Sequence, residues 1–335
     1  PKNILEHEVE LIRNLGADIQ YNRKVSKLDM DELTAQGFKA IFLGVGAHEG
    51  TTMGCKGEDA GYEGFIDGAV FLRDLALGKP LEPKGKVVIV GGGNVAMDCA
   101  RSCARLGFKD VEILYRRTRK EMPARAEEVD EALEEGIKIR YLVAPVSVLA
   151  DGNKAKGVEC IRMKLGEPDS SGRRRPVPVK GSEFKVKADL VIPAIGQKPD
   201  LGFAKDVIQV TGWGTVEVNP ETLRTNLEGV FAGGDCVSGP ATLIEALDAG
   251  NKVARSIDAY LQGRTVEPEV SFKGIDVKAQ RTEGFIDTCP QETASLLDPK
   301  VRVKNFAEVE GPFSNIAAMK EANRCLRCYR LVVWE

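Results

Sequence analysis

Histidine is scarce in this sequence, since only His7 and His48 occur among its 335 residues. Neither histidine belongs to a Ser/His/Asp arrangement or to a metal-binding cluster, which argues against hydrolase chemistry. The sequence also lacks an apolar run near the ~18 residues of a membrane span, and it opens on an amphipathic helical pattern without a signal peptide. We therefore expect no membrane partner.

Charge of either sign is not in excess, because 47 Lys and Arg stand against 50 Asp and Glu. Nothing in this balance calls for a nucleic-acid partner. Eight cysteines are too few for a disulfide scaffold, and without an export signal they indicate cytoplasmic thiols or metal ligands. The chain starts without Met and already inside a helical pattern, so we expect an amino-terminal truncation and a cytoplasmic protein.

The sequence has the composition of a globular protein, with 43% hydrophobic and 29% charged residues, and its length suggests about two domains. Apolar strand patterns alternate with helical patterns, which favours an α/β fold with parallel sheets. Local patterns predict a helix over 4–15 and strands over 18–21 and 39–47. The segment 157–165 predicts part of a β-meander around the polar loop 169–176.

A glycine-rich turn is the clearest binding motif. Gly91-x-Gly93-x-x-Ala96 follows the apolar run 87–90 and opens a helix. Glycines let the backbone approach a pyrophosphate, and the helix amino terminus offers free N–H groups. The strand–turn–helix context predicts a dinucleotide site; the alternative is a tight turn without a ligand.

The residues after the next strand bear on the choice between NAD and NADP. An acid ~20 residues beyond such a turn binds the ribose 2′-hydroxyl of NAD. Here that strand ends at Tyr115, and Arg116 and Arg117 follow. Two guanidinium groups suit a 2′-phosphate, so NADP is favoured over NAD. The alternative is a solvated basic loop, because Arg119 and Lys120 continue the run.

A second strand–turn–helix pattern occurs near the carboxyl end of the chain. The segment 229–235 is a hydrophobic strand that ends in Gly-Gly-Asp, and 240–246 opens a helix. An Asp at a strand end can accept hydrogen bonds from ribose or ribityl hydroxyls, and the helix directs its positive end at an electron-rich ring carbonyl. From these residues alone, a strand–helix turn without a ligand is equally well supported.

Two cysteines near the carboxyl terminus have the spacing of metal ligands. Cys325-x-x-Cys328 follows a helical pattern, and this spacing is used for iron–sulfur or zinc ligation. Two thiolates do not complete a four-ligand site, so Cys289, a partner or another segment would have to supply the rest. Unliganded thiols are the alternative.

The cysteines beside the two turns are predicted to be packing residues. Cys99 and Cys103 are four residues apart on the helix after the glycine turn, whereas a disulfide reductase needs a redox pair beside its flavin, commonly C-x-x-C. Cys236 follows Asp235 and is predicted to be a small buried residue.

Taken together, these motifs resemble the two-dinucleotide flavoprotein reductases, most closely the glutamate synthase small-subunit type. That group also includes the amino-terminal part of dihydropyrimidine dehydrogenase and the flavin–nicotinamide subunit of electron-bifurcating ferredoxin:NADP reductases. The EAxRCLxC phrase around the paired cysteines supports an iron–sulfur cluster. The resemblance rests on LGVGAHEG (43–50), GGGNVAMDCA (91–100), YRRTRKEMPA (115–124), PAIGQKPD (193–200) and VFAGGDCVSGPATLIEALDAG (230–250).

The resemblance implies an α/β fold with two Rossmann-like domains, the NAD(P) domain being inserted in the FAD domain. We place the FAD domain at 1–83 and 201–270, the NAD(P)-binding domain at 84–200, and a carboxyl-terminal tail at 271–335. The family begins with an iron–sulfur segment and a first glycine fingerprint for the FAD pyrophosphate. Residues 1–335 contain neither, so we expect an incomplete FAD domain with half of the flavin site.

The resemblance also implies the function: hydride transfer between NADP(H) and FAD, with electrons passed on through iron–sulfur centres of a partner subunit or another segment. The cofactors carry this chemistry, so no general acid or base is expected. The alternative is a non-catalytic nucleotide-binding or scaffold subunit of a redox complex. The implied site residues are Gly91, Gly93, Asn94 and Val95 at the nicotinamide nucleotide, Arg116 and Arg117 at its 2′-phosphate, Gly196 in the cleft, and Gly234, Asp235, Thr242 and Leu243 at FAD, with Cys325 and Cys328 as metal ligands.

Overall fold

The computed structural model describes residues 2–169, 172–266 and 290–324. The helices are α1 (Lys2–Asn14), α2 (Met30–Ala35), α3 (Gly68–Ala76), α4 (Asn94–Leu106), α5 (Ala126–Glu134), α6 (Asp235–Ser238), α7 (Leu243–Leu261), α8 (Pro299–Arg302) and α9 (Asn315–Asn323). The strands are β1 (Ile41–Leu43), β2 (Glu49–Gly50), β3 (Lys86–Val90), β4 (Asp110–Tyr115), β5 (Lys138–Tyr141), β6 (Val143–Asp151), β7 (Lys154–Pro168), β8 (Arg174–Pro178), β9 (Phe184–Lys187), β10 (Leu190–Pro193), β11 (Gln197–Lys198) and β12 (Val230–Ala232). Among these helices, none has the length and apolar character needed to cross a bilayer.

A four-stranded parallel sheet forms the larger core, in the order β10-β3-β4-β5. Its central strand β3 is a continuous apolar run, as expected of a parallel strand that is covered on both faces. Helix α4 packs on one face through Met97, Cys99, Ala100 and Cys103, all fully buried. The strand–turn–helix predicted around the glycine turn is therefore confirmed.

An antiparallel meander covers the opposite face of this sheet. Strand β7 pairs with β6, β8 and β9. Val158 and Val186 of the meander share a buried cluster with Val88 and Leu114 of the parallel sheet. The predicted meander is thus confirmed, except that residues 174–176 of its predicted loop belong to β8, and its packing holds β7 and β9 on the parallel sheet.

The two remaining parallel strands, β1 and β12, form a separate small sheet in which Ile41 pairs with Val230. Residues far apart in the sequence, such as Leu28 and Ile208, pack around it. The whole larger sheet lies between β1 and β12 in sequence. This insertion confirms the predicted α/β class with one nucleotide-binding unit inside another, whereas the boundaries after residues 83, 200 and 270 stay predictions.

Two predicted strands differ from those in the structure. The segment 18–21 is not a strand; Gln20 instead donates a side-chain hydrogen bond to Asp18 (2.8 Å). No strand of the described chain pairs with this segment, and an isolated strand has no partner for its backbone groups. Within the predicted strand 39–47, only 41–43 are β-structure, because only these residues pair with β12.

The carboxyl-terminal segment 290–324 is anchored on the larger domain by a buried charge cluster. Arg302 of α8 pairs with Glu134 and Glu135 at the carboxyl end of α5, at 2.9 Å in each case. Arg101 and Arg105 of α4 also pair with Glu135, whose side chain is fully buried. Burial acts to raise the pKa of Glu135, but these arginines outweigh it and lower the pKa. Several guanidinium groups thus compensate for one buried carboxylate.

Candidate functional site

The glycine turn begins where three strands of the larger sheet meet. The amide of Gly91 donates to the carbonyl of Leu114 (3.1 Å), and the amide of Ala194 donates to the carbonyl of Val90 (2.7 Å). Gly91 has a φ of +152°, and a Cβ there would lie 2.1 Å from the Ala194 carbonyl oxygen. Only glycine fits this position, so the start of the turn is fixed by the packing of β4 and β10.

The next part of the turn is open. Gly93 precedes α4 with extended backbone, and no side chain caps the helix. The amides of Ala96 and Met97 donate to the Gly93 carbonyl, whereas those of Asn94 and Val95 have no hydrogen-bond acceptor in the described chain. Unpaired amides at a helix amino terminus attract an anion. The geometry therefore leaves an unpaired pair of donors where the sequence predicts a pyrophosphate.

A loop from the other end of the motif 115–124 lies against this turn. The amide of Ala124 donates to the carbonyl of Gly92 (3.1 Å), and the amide of Arg125 donates to Oδ1 of Asn94 (3.2 Å). A Cβ added at Gly93 would lie 3.8 Å from Pro123. This motif contributes to the family resemblance, but the sequence predicts no role for Pro123 or Ala124 within it. The structure shows that they pack against the turn at Gly92 and Gly93.

The two arginines after β4 lie in different environments. Arg116 is exposed, and in the described chain its guanidinium makes no hydrogen bond or ion pair. Arg117 is buried; its Nη2 donates to Asp169 Oδ2 (2.9 Å) and its Nε donates to the Arg174 carbonyl (2.8 Å). Arg116 is therefore the one with a guanidinium open to a ligand, while Arg117 is engaged by the hairpin between β7 and β8.

Gly196 lies in the segment that connects the larger sheet to β11. Its carbonyl accepts a hydrogen bond from the amide of Thr51 (3.0 Å), and its φ is +147°. A Cβ there would lie 3.3 Å from the Thr51 hydroxyl. The close approach of the two segments explains the glycine, and the predicted place of Gly196 in a cleft between cofactors stays a prediction.

The residues predicted to bind flavin lie at the carboxyl end of β12. Gly234 has a φ of +73°, and Asp235 accepts a hydrogen bond from the amide of Ala241 (3.3 Å). Thr242 is the N-cap of α7 and forms a capping box with Glu245, its hydroxyl donating to Oε2 (2.6 Å). The turn is therefore ordered by its own side chains before any ligand binds.

The first turn of α7 exposes apolar side chains. Leu243 is 79% exposed, Ile244 71% and Leu247 55%. Neighbouring exposed apolar side chains at a helix amino terminus are unusual for a solvent-facing helix. They indicate a surface that binds a ligand or another protein segment. This surface lies where the resemblance puts the flavin ring.

The cysteines beside the two turns are buried and unpaired. Cys99 and Cys103 are fully buried on α4, and burial raises the pKa of both thiols. The thiol of Cys236 donates to the carbonyls of Leu43 and Gly233, at 3.3 Å each. Their prediction as packing residues is confirmed. Cys289, Cys325 and Cys328 lie outside the described residues.

Comparison with known proteins identifies related chains. The pyridine nucleotide-disulphide oxidoreductase family matches residues 2–250. The NADP(+)-dependent formate dehydrogenase subunit beta of Moorella thermoacetica is 47% identical, over 99% of this chain and 48% of that protein. The NADPH-Fe(3+) oxidoreductase subunit beta of Geobacter sulfurreducens is 41% identical, over 99% and 54%. A glutamate synthase [NADPH] small chain of Azospirillum brasilense is 35% identical, over 80% and 58%.

Solved structures share the fold at lower identity. Mycobacterium tuberculosis FprA in complex with NADPH has a TM-score of 0.60 at 19% identity, over 72% of this chain and 68% of that chain. The thioredoxin reductase of T. acidophilum has a TM-score of 0.51 at 24% identity, over 67% and 66%. The chain spans about half the length of the first two relatives. The family match covers both turns and the sheets that carry them, and the chain belongs to the pyridine nucleotide-disulphide oxidoreductase family.

Proposed function

We propose that this chain is the nucleotide-binding part of an NADP(H)-dependent flavoprotein oxidoreductase that works within a larger redox complex. When bound, the nicotinamide and the flavin supply the redox chemistry by exchanging a hydride. The chain's own residues bind and orient the two cofactors. The names of its relatives, which are subunits of NADP-linked or NADPH-linked oxidoreductases, support this proposal.

One observation carries the proposal: an open helix amino terminus and an unpaired guanidinium follow adjacent parallel strands. The amides of Asn94 and Val95 are free to hold the pyrophosphate after β3. Arg116 follows β4, the strand whose end meets the ribose in such units. No carboxylate stands at Arg116 in the sequence. The donor set therefore suits a dinucleotide that carries a 2′-phosphate.

The flavin part of the proposal rests on the second turn. Asp235 is the carboxylate that would accept hydrogen bonds from FAD hydroxyls, and the amino terminus of α7 at Thr242 would face the ring. Gly234 has no side chain and Leu243 is exposed, so both are accessible to a flavin. These residues fit the ring and ribityl part of FAD, while residues 1–335 offer no second glycine fingerprint for its pyrophosphate.

Nucleotide choice tests the proposal. Arg116→Gln is expected to weaken NADPH binding by about tenfold or more and to leave NADH binding within about twofold, because a charge-assisted bond to phosphate contributes ~1.5–3 kcal/mol. Titration calorimetry with both nucleotides measures this difference. Arg117 is a poor choice for the same test, since its removal would leave Asp169 without its buried partner.

Arg119→Gln is the matched control for this test. Arg119 is three residues further along the same basic run, but its guanidinium pairs with Asp130 (2.5 Å). Its removal should change neither affinity by more than about twofold. Equal losses of NADPH and NADH in the Arg116 variant would contradict the NADP assignment, and a chain that binds neither nucleotide would contradict the proposed function.

We also propose that Cys325 and Cys328 contribute to an iron–sulfur cluster, completed by a partner subunit or another segment. The support is the C-x-x-C spacing. Protein prepared without oxygen, together with its partner, is expected to contain iron and sulfide that Cys325→Ser removes. Cys55→Ser, at a buried unpaired thiol, should retain both. Metal-free protein in complex with its partner would contradict this proposal.

A further inference from the structure

The tip of the hairpin between β7 and β8 carries an arginine run that lies outside the glycine turn. The amide of Asp169 donates to the carbonyl of Arg173 (2.8 Å), and the amide of Arg173 donates to Oδ1 of Asp169 (3.2 Å). Arg174 directs its guanidinium back along the hairpin, to the carbonyls of Gly166 (3.0 Å) and Leu165 (3.2 Å). These contacts join described residues on the two sides of the tip, and Arg173 is exposed.

Buried Arg117 fastens this tip to the end of β4. Its guanidinium donates to the Asp169 carboxylate (2.9 Å) and to the Arg174 carbonyl (2.8 Å), so that it bridges both arms of the tip. The amide of Leu142 donates to the carbonyl of Arg117 (3.1 Å), which fixes the backbone as well. Asp169, which lies 52 residues further along the chain, is thus held beside Arg117 and the neighbouring Arg116.

Positive charge accumulates where the hairpin meets the end of β4. Partial desolvation, the like charge of Arg117 and, more weakly, that of Arg173 lower the pKa of Arg116, against the attraction of Asp169. Hydrogen bonds within its capping box with Thr118 lower the pKa of Glu121, and Arg174 lowers it more weakly. Two arginines, Arg117 and Arg173, therefore add positive charge beside Arg116, and the Asp169 carboxylate opposes them. An excess of this kind attracts an anion.

We propose that Arg173, in the arm of the hairpin that leads into β8, supplies a second guanidinium, beside Arg116, for the 2′-phosphate of NADP(H). Arg117 is then a positioning residue, which holds the hairpin in place through Asp169. This inference rests on the proposed function, since it requires the phosphate to lie at Arg116. NADH carries no phosphate at that position and gains nothing from Arg173.

Arg173→Gln in the full chain tests the proposal. We expect the variant to bind NADPH about tenfold more weakly or worse, with NADH binding within about twofold, because one charge-assisted phosphate contact is lost. Arg117→Lys keeps the charge but cannot bridge Asp169 and the Arg174 carbonyl together. It should lose part of the same NADPH preference while its NADH affinity is retained, which a general folding defect would not allow.

Arg175→Gln is the matched control, because it removes the same charge from the next-but-one residue of the same hairpin. It should leave both affinities near those of the unchanged chain. Equal weakening of NADPH binding by the Arg173 and Arg175 changes would overturn the proposal and indicate a general charge effect. NADPH binding unaffected by Arg173→Gln but weakened by Arg116→Gln would overturn the hairpin's role and leave the proposed function standing. No preference for NADPH in the unchanged chain would overturn both.

Discussion

A Gly91→Ala variant is expected to lose about 3 kcal/mol or more of its free energy of unfolding, and with it the ability to bind a dinucleotide. The new Cβ would lie 2.1 Å from the Ala194 carbonyl oxygen, at a φ of +152° that alanine rarely adopts. Backbone movement cannot relieve this clash, because Ala194 is hydrogen-bonded to Val90 and Gly91 is hydrogen-bonded to Leu114. Backbone strain and a steric clash each cost ~1–3 kcal/mol. Chemical denaturation measures the loss of stability.

Gly93→Ala is the matched comparison, because it makes the same chemical change two residues away. A Cβ there would have only Pro123 nearby, at 3.8 Å, and the backbone is extended. We expect a change in stability below about 1 kcal/mol. Nucleotide affinity should nevertheless fall about tenfold or more, since the methyl group would occupy the space that a pyrophosphate needs. A Gly93→Ala variant with unchanged affinity would place the pyrophosphate elsewhere.

The second large effect concerns FAD. We expect the isolated 335 residues to bind NADPH but to hold FAD about 100-fold more weakly, or worse, than a site with both anchors. The turn at Asp235 and the amino terminus of α7 offer contacts for the ring and the ribityl chain, whereas the single glycine fingerprint, at 91–96, belongs to the other sheet. Several phosphate contacts of ~1.5–3 kcal/mol each are therefore missing.

Dialysis followed by flavin absorbance measures FAD retention, and the NADPH titration of the same sample shows that the protein is folded. Addition of a first-fingerprint segment of the family should restore tight FAD binding and bleaching of the flavin by NADPH. Stoichiometric FAD after dialysis of the 335 residues alone would contradict the prediction and imply another pyrophosphate site. Tight FAD that NADPH does not bleach, in the restored protein, would favour a scaffold role over a reductase.

Local sequence patterns are sufficient to predict structural elements that follow one another in one continuous segment. The strand, turn and helix across 86–106 could be predicted because the apolar run, the glycines and the helical pattern follow one another. The segment 18–21 was predicted wrongly as a strand. Its residue pattern is compatible with a strand, but a strand also needs a neighbouring strand to pair with. A local pattern does not predict pairing between distant segments.

The two arginines after β4 show most clearly what local sequence patterns cannot predict. In the sequence, Arg116 and Arg117 are equivalent members of one basic run. In the structure, Arg117 is buried against Asp169, and Arg116 is left exposed. The partner of Arg117 comes from a hairpin tip 52 residues away, and the residues between them give no sign of that contact.

The sequence by itself determined the α/β class, the glycine turn at 91–96 and the basic run that favours NADP, because each depends on residue type and short-range spacing. Only the tertiary structure decided which of the two arginines is exposed, which loop packs against the turn, and that the β7–β8 hairpin reaches the same strand end. These features arise where segments distant in sequence pack together, and their contacts follow from the arrangement of the sheets.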